Sequence, residues 1–338
     1  MRRLATIKDI AKALGISVAT VSRALRDAYD VSPRTRQLVL EKAQELHYKP
    51  NFNATGLVKS STHKIGVIIP AITNYYFSTV ITGIQEVAQS KGYNIILYIT
   101  NDSPELEKKI VYDLSLSSLD GLLACVSSPS DACKHFQELI DDGLPVVFFD
   151  RVPEKISISK VMQDDYNGAY QAVNHLIEMG YQKIAHITGP KGMFLTENRL
   201  RGYKDALRDQ QLDFDSDWVV YSGFSQQDGE ADIEQLLIEN TKRPDAIFAV
   251  NDRKAIGAMV ALKRKNIRIG AEVGVIGFTN DPICEIISPT LSTVAEPAYE
   301  IGRKSCELLL THIKKVNFAG EEVVLSGALI VRESTSRI

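Results

Sequence analysis

Cysteine is scarce in this chain, and the four present, Cys125, Cys133, Cys284 and Cys306, share no ligand-like spacing. That excludes a disulfide framework and a zinc site, and it points to free buried thiols in a reducing cytoplasm. No apolar run approaches the ~18 residues needed to span a membrane. The opening "MRRLATIKDI" is positively charged but has no apolar stretch behind the charge, so no secretory signal is expected. Also missing are a G-x-G-x-x-G turn, a P-loop and any nucleophile–base pair, which argues against a nucleotide-dependent dehydrogenase or kinase. No enzymatic activity, cofactor or metal is expected. Low-complexity tracts are absent. What remains is 338 residues, 44% hydrophobic and 24% charged, enough for two or three globular domains.

Charge is unevenly distributed. Residues 1–60 carry eleven Lys and Arg against five Asp and Glu, whereas the rest of the chain carries 28 against 37. A basic head on an acidic body is the footprint of a DNA reader. The head's apolar pattern agrees. In "TIKDIAKALGISVATVSRAL" (6–25), Ile7, Ile10, Ala11 and Leu14 fall on one helical face. Thr6 is placed as N-cap with Asp9 to close a capping box, and Gly15 supplies the left-handed stop. Ser17 caps a second helix whose inner face is Val21, Ala24 and Leu25. Two helices joined so tightly make a helix-turn-helix. Outside the second stripe lie Val18, Ala19, Thr20, Ser22 and Arg23, small residues with one guanidinium, a surface that can enter a major groove. A third helix follows, capped by Ser32 with Pro33 at its first position and Leu38, Val39, Ala43 and Leu46 inward. A bundle that only binds protein would not need the basic charge.

Beyond Pro50 the polar stretch 51–63 reads as a linker, and its segment 51–61 is too short and too polar to be a stable helix alone. It is expected to become helical only when two copies meet on DNA. From Lys64, apolar strands alternate with helices: strands at 65–70, 95–100, 121–126, 146–149, 184–188, 219–221, 246–250 and 273–278, and helices such as 77–91, 166–179, 198–210 and 253–265. This is the pattern of parallel sheets covered on both faces. "KIGVIIPAI" and "KIAHITGPK" echo one another, which suggests two similar doubly wound subdomains, the second starting near residue 162. Ligands of such sheets bind beyond the carboxyl ends of the strands. Collected there are Tyr75, Tyr76 and Phe77, Asn101 and Asp102, Asp150 and Arg151, Asp164 and Asp165, Arg199, Phe224, Asn251 and Asp252, and Thr279, Asn280 and Asp281. Aromatic rings among carboxylates, amides and guanidinium suit a polyhydroxylated ligand. Taken singly, Asp102, Asp165 and Asp252 also read as helix N-caps.

These stretches, with "LHYKPN", "IPAITNYYF", "FFDR", "NRLRGY", "AVNDR", "GVIGF" and "LIVREST", resemble the lactose/galactose repressor family of bacterial transcription regulators over the whole chain, most like versions common in Bacteroidetes. The resemblance implies an α/β protein: a helix-turn-helix domain at 1–49 and a hinge at 50–62. Two subdomains of periplasmic-binding-protein type would follow, one from 63–161 and 292–322, the other from 162–291 and 323–338. It implies that Val18, Ala19 and Arg23 read bases, that Thr6, Thr20 and Ser22 touch the DNA backbone with Ser17 and Arg26 beside them, and that Leu57 wedges into the minor groove at a central CpG. Asp150, Arg199, Phe224 and Asn251 fall on effector-contacting positions, with Tyr76, Phe77, Asn101, Asp164 and Asn280 around them. The expected function is a dimeric regulator, in all expectation a repressor, that binds a pseudo-palindromic operator under the control of a sugar, a nucleoside or another small molecule. Two departures stand out. Thr55-Gly56 replaces the usual Arg-Ser before Leu57, and Thr279 stands where many members carry a sugar-binding aspartate, leaving Asn280 or Asp281 to substitute. No heptad of leucines trails the last "LIVREST", so a dimer rather than a tetramer is expected. A periplasmic sugar-binding protein would share the two-lobed core but have no use for the basic head.

Overall fold

The computed structural model describes residues 5–25, 30–46, 48, 61–114, 119–127, 133–239, 243–314 and 319–337. Arg26, Leu57 and the linker through residue 60 lie outside them. The chain divides into a head ending at Thr62 and a core beginning at His63.

Among its described residues the head has three helices, α1 (Ile7–Leu14), α2 (Val18–Leu25) and α3 (Pro33–Glu45). The Asp9 carboxylate accepts from the Thr6 amide at 2.8 Å and from its hydroxyl at 2.7 Å, tying down the start of α1. Gly15 ends α1 at φ +64°, a backbone that a Cβ would disfavour. Ser17 accepts from the Thr20 amide and Ser32 from the Thr35 amide, so all three helices start where the side-chain pattern indicates. Ile10, Ala11, Val21, Ala24, Val39 and Ala43 form the buried centre, with Ile7, Leu14, Leu25 and Leu46 packed against it. Leu38 is a correction: it is 47% exposed rather than inward. Val39, Ala43 and Leu46 set the inner stripe of α3 at i, i+4, i+7, and Leu38 sits one step of ~100° round the helix.

The core holds two six-stranded sheets. The first comprises β1 (Lys64–Ile69), β2 (Asn94–Ile99), β3 (Gly121–Ala124), β4 (Val146–Phe149), β5 (Lys160–Gln163) and β11 (Glu322–Leu325), in the order β11-β5-β4-β3-β1-β2, all parallel. The second comprises β6 (Ile184–Thr188), β7 (Val219–Tyr221), β8 (Ala246–Ala249), β9 (Gly274–Thr279), β10 (Ser292–Ala295) and β12 (Ala328–Ile330), in the order β12-β10-β9-β8-β6-β7, with only β12 antiparallel. Period-two alternation builds a hydrophobic layer on each face. Ile65, Val67 and Ile69 point to one side, with α4 (Tyr75–Ser90) and α11 (Ala298–Lys314). Ile68, Leu122 and Ala124 point to the other, with α5 (Pro104–Leu114) and α6 (Lys134–Asp141). The second sheet is covered the same way, by α7 (Asp165–Glu178) and α8 (Phe194–Asp209) on one face, and by α9 (Gln226–Glu239) and α10 (Asp252–Arg264) on the other.

The chain passes between the lobes three times, and the passages differ from the expected boundaries. Residues 162–163 complete β5 of the first sheet. Residues 292–295, expected in the first lobe, pair with β9 in the second. Residues 323–325, expected in the second lobe, pair with β5 in the first. The lobes therefore change near Asp164, Glu296 and Gly327. Neither short strand announces itself: "STVA" carries two hydroxyl residues, and "EVVL" is an edge strand with alternate residues exposed.

Candidate functional site

The carboxyl ends of both sheets open onto one cleft, whose outer part encloses about 460 Å³ and whose floor adds a narrow space of about 40 Å³. Asn74, Phe77 and Arg151 of the first lobe and Phe224 and Asn251 of the second line both parts. The strand ends that feed the cleft use unusual backbone. Asn101, Asp102, Asp150, Thr279 and Asn280 all have positive φ. Asp150, at φ +59° directly after β4, turns its side chain under the cleft, where it is 8% exposed.

Arg199, on α8, organises the floor. Its Nε donates to Asp165 Oδ1 at 2.8 Å, its Nη2 to Glu296 Oε1 at 2.7 Å, and its Nη1 to the Val250 carbonyl. The guanidinium lies 3.6 Å from the centroid of the Phe278 ring, so its face is covered as well. Asp165 follows the first passage between lobes and Glu296 the second, so one arginine joins two of the three passages. Burial pushes Asp165 up to about 6 and Glu296 up to about 8, with Arg199 pulling both back and the neighbouring Asp150 adding to the rise. The two carboxylates hold the Arg199 guanidinium above its ordinary range against its own burial. Asp150, by contrast, makes no ion pair among the described residues and accepts a thiol hydrogen from Cys125 at 3.3 Å. The Tyr76 hydroxyl is buried beside it, in a contact that falls short of a well-formed hydrogen bond. Burial drives its pKa well up, and the charges of Asp150 and Glu296 add to the rise.

The walls are aromatic. Phe224 packs against Gly189, where a Cβ would approach its ring to 2.6 Å. Its carbonyl accepts from Asn251 Nδ2 at 3.1 Å, while Asn251 Oδ1 caps α10 through the Lys254 amide. Arg151 reaches across from the first lobe to lie 4.3 Å from the Phe224 centroid, and it is paired with Asp102. Beneath the Phe224 turn, Lys254 is fully buried: its Nζ lies 2.5 Å from Asp232 and donates to the Thr188 carbonyl at 2.6 Å and Ser222 Oγ at 2.7 Å.

The structure thus brings together Tyr76, Phe77, Asp150, Arg199, Phe224 and Asn251, and it leaves three of the expected residues aside. Asp164 caps α7, accepting from the Asn167 amide at 3.1 Å, and does not line the cleft. Asn280 accepts from Arg332 at 2.9 Å, while Thr279 takes the place on the floor. Asn101 is an exposed turn residue. The cap readings also shift by one: Asn251 rather than Asp252 caps α10, Asp164 rather than Asp165 caps α7, and Asp102 pairs with Arg151. Asp252 is instead a buried brace, accepting from Thr293 Oγ1 at 2.6 Å and the Asp281 amide at 2.8 Å. Missed from the pattern were Glu296, which follows the unrecognised β10, and the Lys254–Asp232 pair. Arg151 was visible only as the neighbour of Asp150 in "FFDR".

On the head, Ser17, Val18, Ala19 and Arg23 are exposed along α2, while Thr20 and Ser22 are half-buried beside them. Exposed Thr6 is occupied in closing α1. Among the described residues, no helix is long and apolar enough to cross a membrane.

Comparison with known proteins agrees with both halves of this picture. Residues 6–51 match the family described as bacterial regulatory proteins, lacI family, and residues 173–335 match a periplasmic binding protein-like domain. The chain is 33% identical to the HTH-type transcriptional repressor PurR of Vibrio atlanticus, over 92% of each chain. It is 31% identical to the ribose operon repressor of Haemophilus influenzae, over 98% of each. A crystal structure of the lac repressor dimer bound to operator and the anti-inducer ONPF superposes with a TM-score of 0.87 at 26% identity, covering 99% of this chain and all of that one. With a helix-turn-helix head, a two-lobed core and relatives of this identity along nearly its full length, the chain belongs to the lacI family of bacterial regulatory proteins, DNA-binding transcription regulators rather than enzymes.

Proposed function

We propose that the protein is a cytoplasmic repressor that binds a pseudo-palindromic operator as a homodimer, and that an uncharged polyhydroxylated molecule in the core cleft controls its binding. Val18, Ala19 and Arg23 would meet base edges, Thr6, Ser17, Thr20 and Ser22 the phosphates, with Arg26 and Leu57 adding contacts from outside the described residues. The observation that carries the effector reading is the floor of the cleft. Among the described residues, Asp150 is a nearly buried acceptor supplied with one weak thiol donor and with the adjacent Tyr76 hydroxyl, whose contact with it falls short of a well-formed hydrogen bond. Unsatisfied polar groups at this depth are costly, and a ligand's hydroxyls would satisfy both. Phe77 and Phe224 offer apolar faces for a sugar or nucleoside ring.

Charge narrows the class. Two guanidinium groups line the floor, and both are already occupied, Arg199 by Asp165 and Glu296 and Arg151 by Asp102. A phosphate or carboxylate brought to this floor would have to compete with those carboxylates for a cation and would meet the Asp150 carboxylate in a low-dielectric site. The test is a thermal-shift panel of free sugars, nucleosides and their phosphate esters with the full-length protein. A true ligand at a hundredfold excess over its Kd raises stability by about 2.7 kcal/mol. Stabilisation by a free sugar or nucleoside and not by its phosphate supports the reading. Stabilisation by the phosphate esters alone contradicts it.

A further inference from the structure

The exposed face of α2 carries one cation, Arg23, and that cation already has a partner in the DNA-free head. Arg23 Nη1 lies 2.7 Å from Asp30 Oδ2, just ahead of the Ser32 cap of α3. The two side chains are 49% and 40% exposed, so the pair stands at the surface where DNA would arrive rather than in the head's core. Its stabilising value there is small, because exposed ion pairs are screened by water and salt. Folding therefore gives no account of it. Position does: a carboxylate has been set beside the one guanidinium among the described residues of the base-facing helix.

We propose that Asp30 is a specificity-determining residue of the head, holding the Arg23 fork in one orientation and keeping it from indiscriminate pairing with phosphates. This rests on the reading that Arg23 contacts a base. The guanidinium has five donors, and a single bond at Nη1 leaves paired N–H groups free for the two acceptors of a guanine edge. An unrestrained arginine must give up its rotamer freedom on binding, and a phosphate is the nearest acceptor along any DNA sequence. With Asp30 in place, a phosphate that approaches the free N–H groups meets a carboxylate of like charge, whereas a guanine edge is neutral. A bidentate base contact can form while the bond to Asp30 persists.

The experiment is selection from random duplex DNA with the full-length protein and its Asp30→Asn, Asp30→Glu and Arg23→Ala variants, together with salt titrations on unselected duplex. Arg23→Ala identifies the base position that Arg23 reads, as the position whose preference disappears. Asp30→Asn is expected to weaken preference at that same position by about fivefold or more. It should also tighten binding to unselected duplex and steepen the dependence of log affinity on log salt by about 0.9. Asp30→Glu, which keeps the charge, should restore both. Unchanged preference at the Arg23 position in Asp30→Asn overturns the proposal, even if unselected DNA binds more tightly. Loss of no position in Arg23→Ala would mean that Arg23 reads no base, and the proposal would fall with that reading.

Discussion

Removing the Arg199 guanidinium tests how the cleft floor is held together. In Arg199→Ala, Asp165 and Glu296 lose their shared partner while each side chain remains only 4% exposed. Breaking a buried ion pair from one side costs about 3–5 kcal/mol, because the remaining charge is left uncompensated. For a core of this size that is a fall in Tm of roughly 6–20 °C. The loss should depend on pH in a defined direction. Both carboxylates already have raised pKa values in the folded protein, Asp165 about 6 and Glu296 about 8, and losing the cation raises them further. A carboxyl with a raised folded pKa binds more protons folded than unfolded, so stability falls as pH rises from the unfolded pKa through the folded one. The variant should therefore be closest to the parent near pH 5, where both groups are largely protonated, and weakest near pH 8. Thermal unfolding of both proteins from pH 5 to 8 measures this. A deficit below about 1 kcal/mol, or one independent of pH, would refute the account of Arg199 as the clasp between two passages. Asp150→Asn is the cleaner probe of ligand contact, since Asp150 has no ion-pair partner among the described residues to strand.

Other substitutions probe separate parts of the structure. Lys254→Met strands Asp232 and should cost about 3–5 kcal/mol, whereas Lys254→Met with Asp232→Leu should recover most of that in denaturant unfolding. Gly83→Ala would drive a Cβ to 2.3 Å from the Tyr299 carbonyl where α4 crosses α11, a backbone contact that cannot yield easily. The expected loss is about 1–3 kcal/mol, read as a lower Tm. Leu57→Ala should nearly abolish operator binding in a fluorescence-anisotropy titration if the hinge leucine wedges between base pairs; unchanged affinity would make the segment a passive tether.

Most of the fold was legible because the relevant signals are local. The capped helices of the head and the apolar runs of β1, β3, β4, β6 and β8 carry their assignment in adjacent residues. Where burial was shared among distant elements, local pattern fell short. Short β10 and β11 owe their existence to β9 and β5, so the lobe boundaries near 296 and 327 were displaced by several residues. The cleft was legible where a residue directly follows a strong strand, as with Asp150 and Asn251. Glu296 follows a strand with no apolar run, and Asn280 faces Arg332, 52 residues away, a partner no local pattern could supply. Lys254 looked like an ordinary helix residue, since nothing near it in sequence announces Asp232 and Ser222.

The measurement that bears most directly on the whole account is operator affinity, taken on the selected DNA sequence with and without the compound that stabilises the core in the thermal-shift panel. Coupling between cleft and head of ordinary size, about 1–3 kcal/mol, predicts a change of about 5- to 150-fold in operator Kd when the cleft is saturated. The same change should be lost, or shifted to much higher ligand concentration, in Asp150→Asn. A compound that saturates the cleft and leaves operator affinity unchanged would contradict the claim that this cleft controls DNA binding.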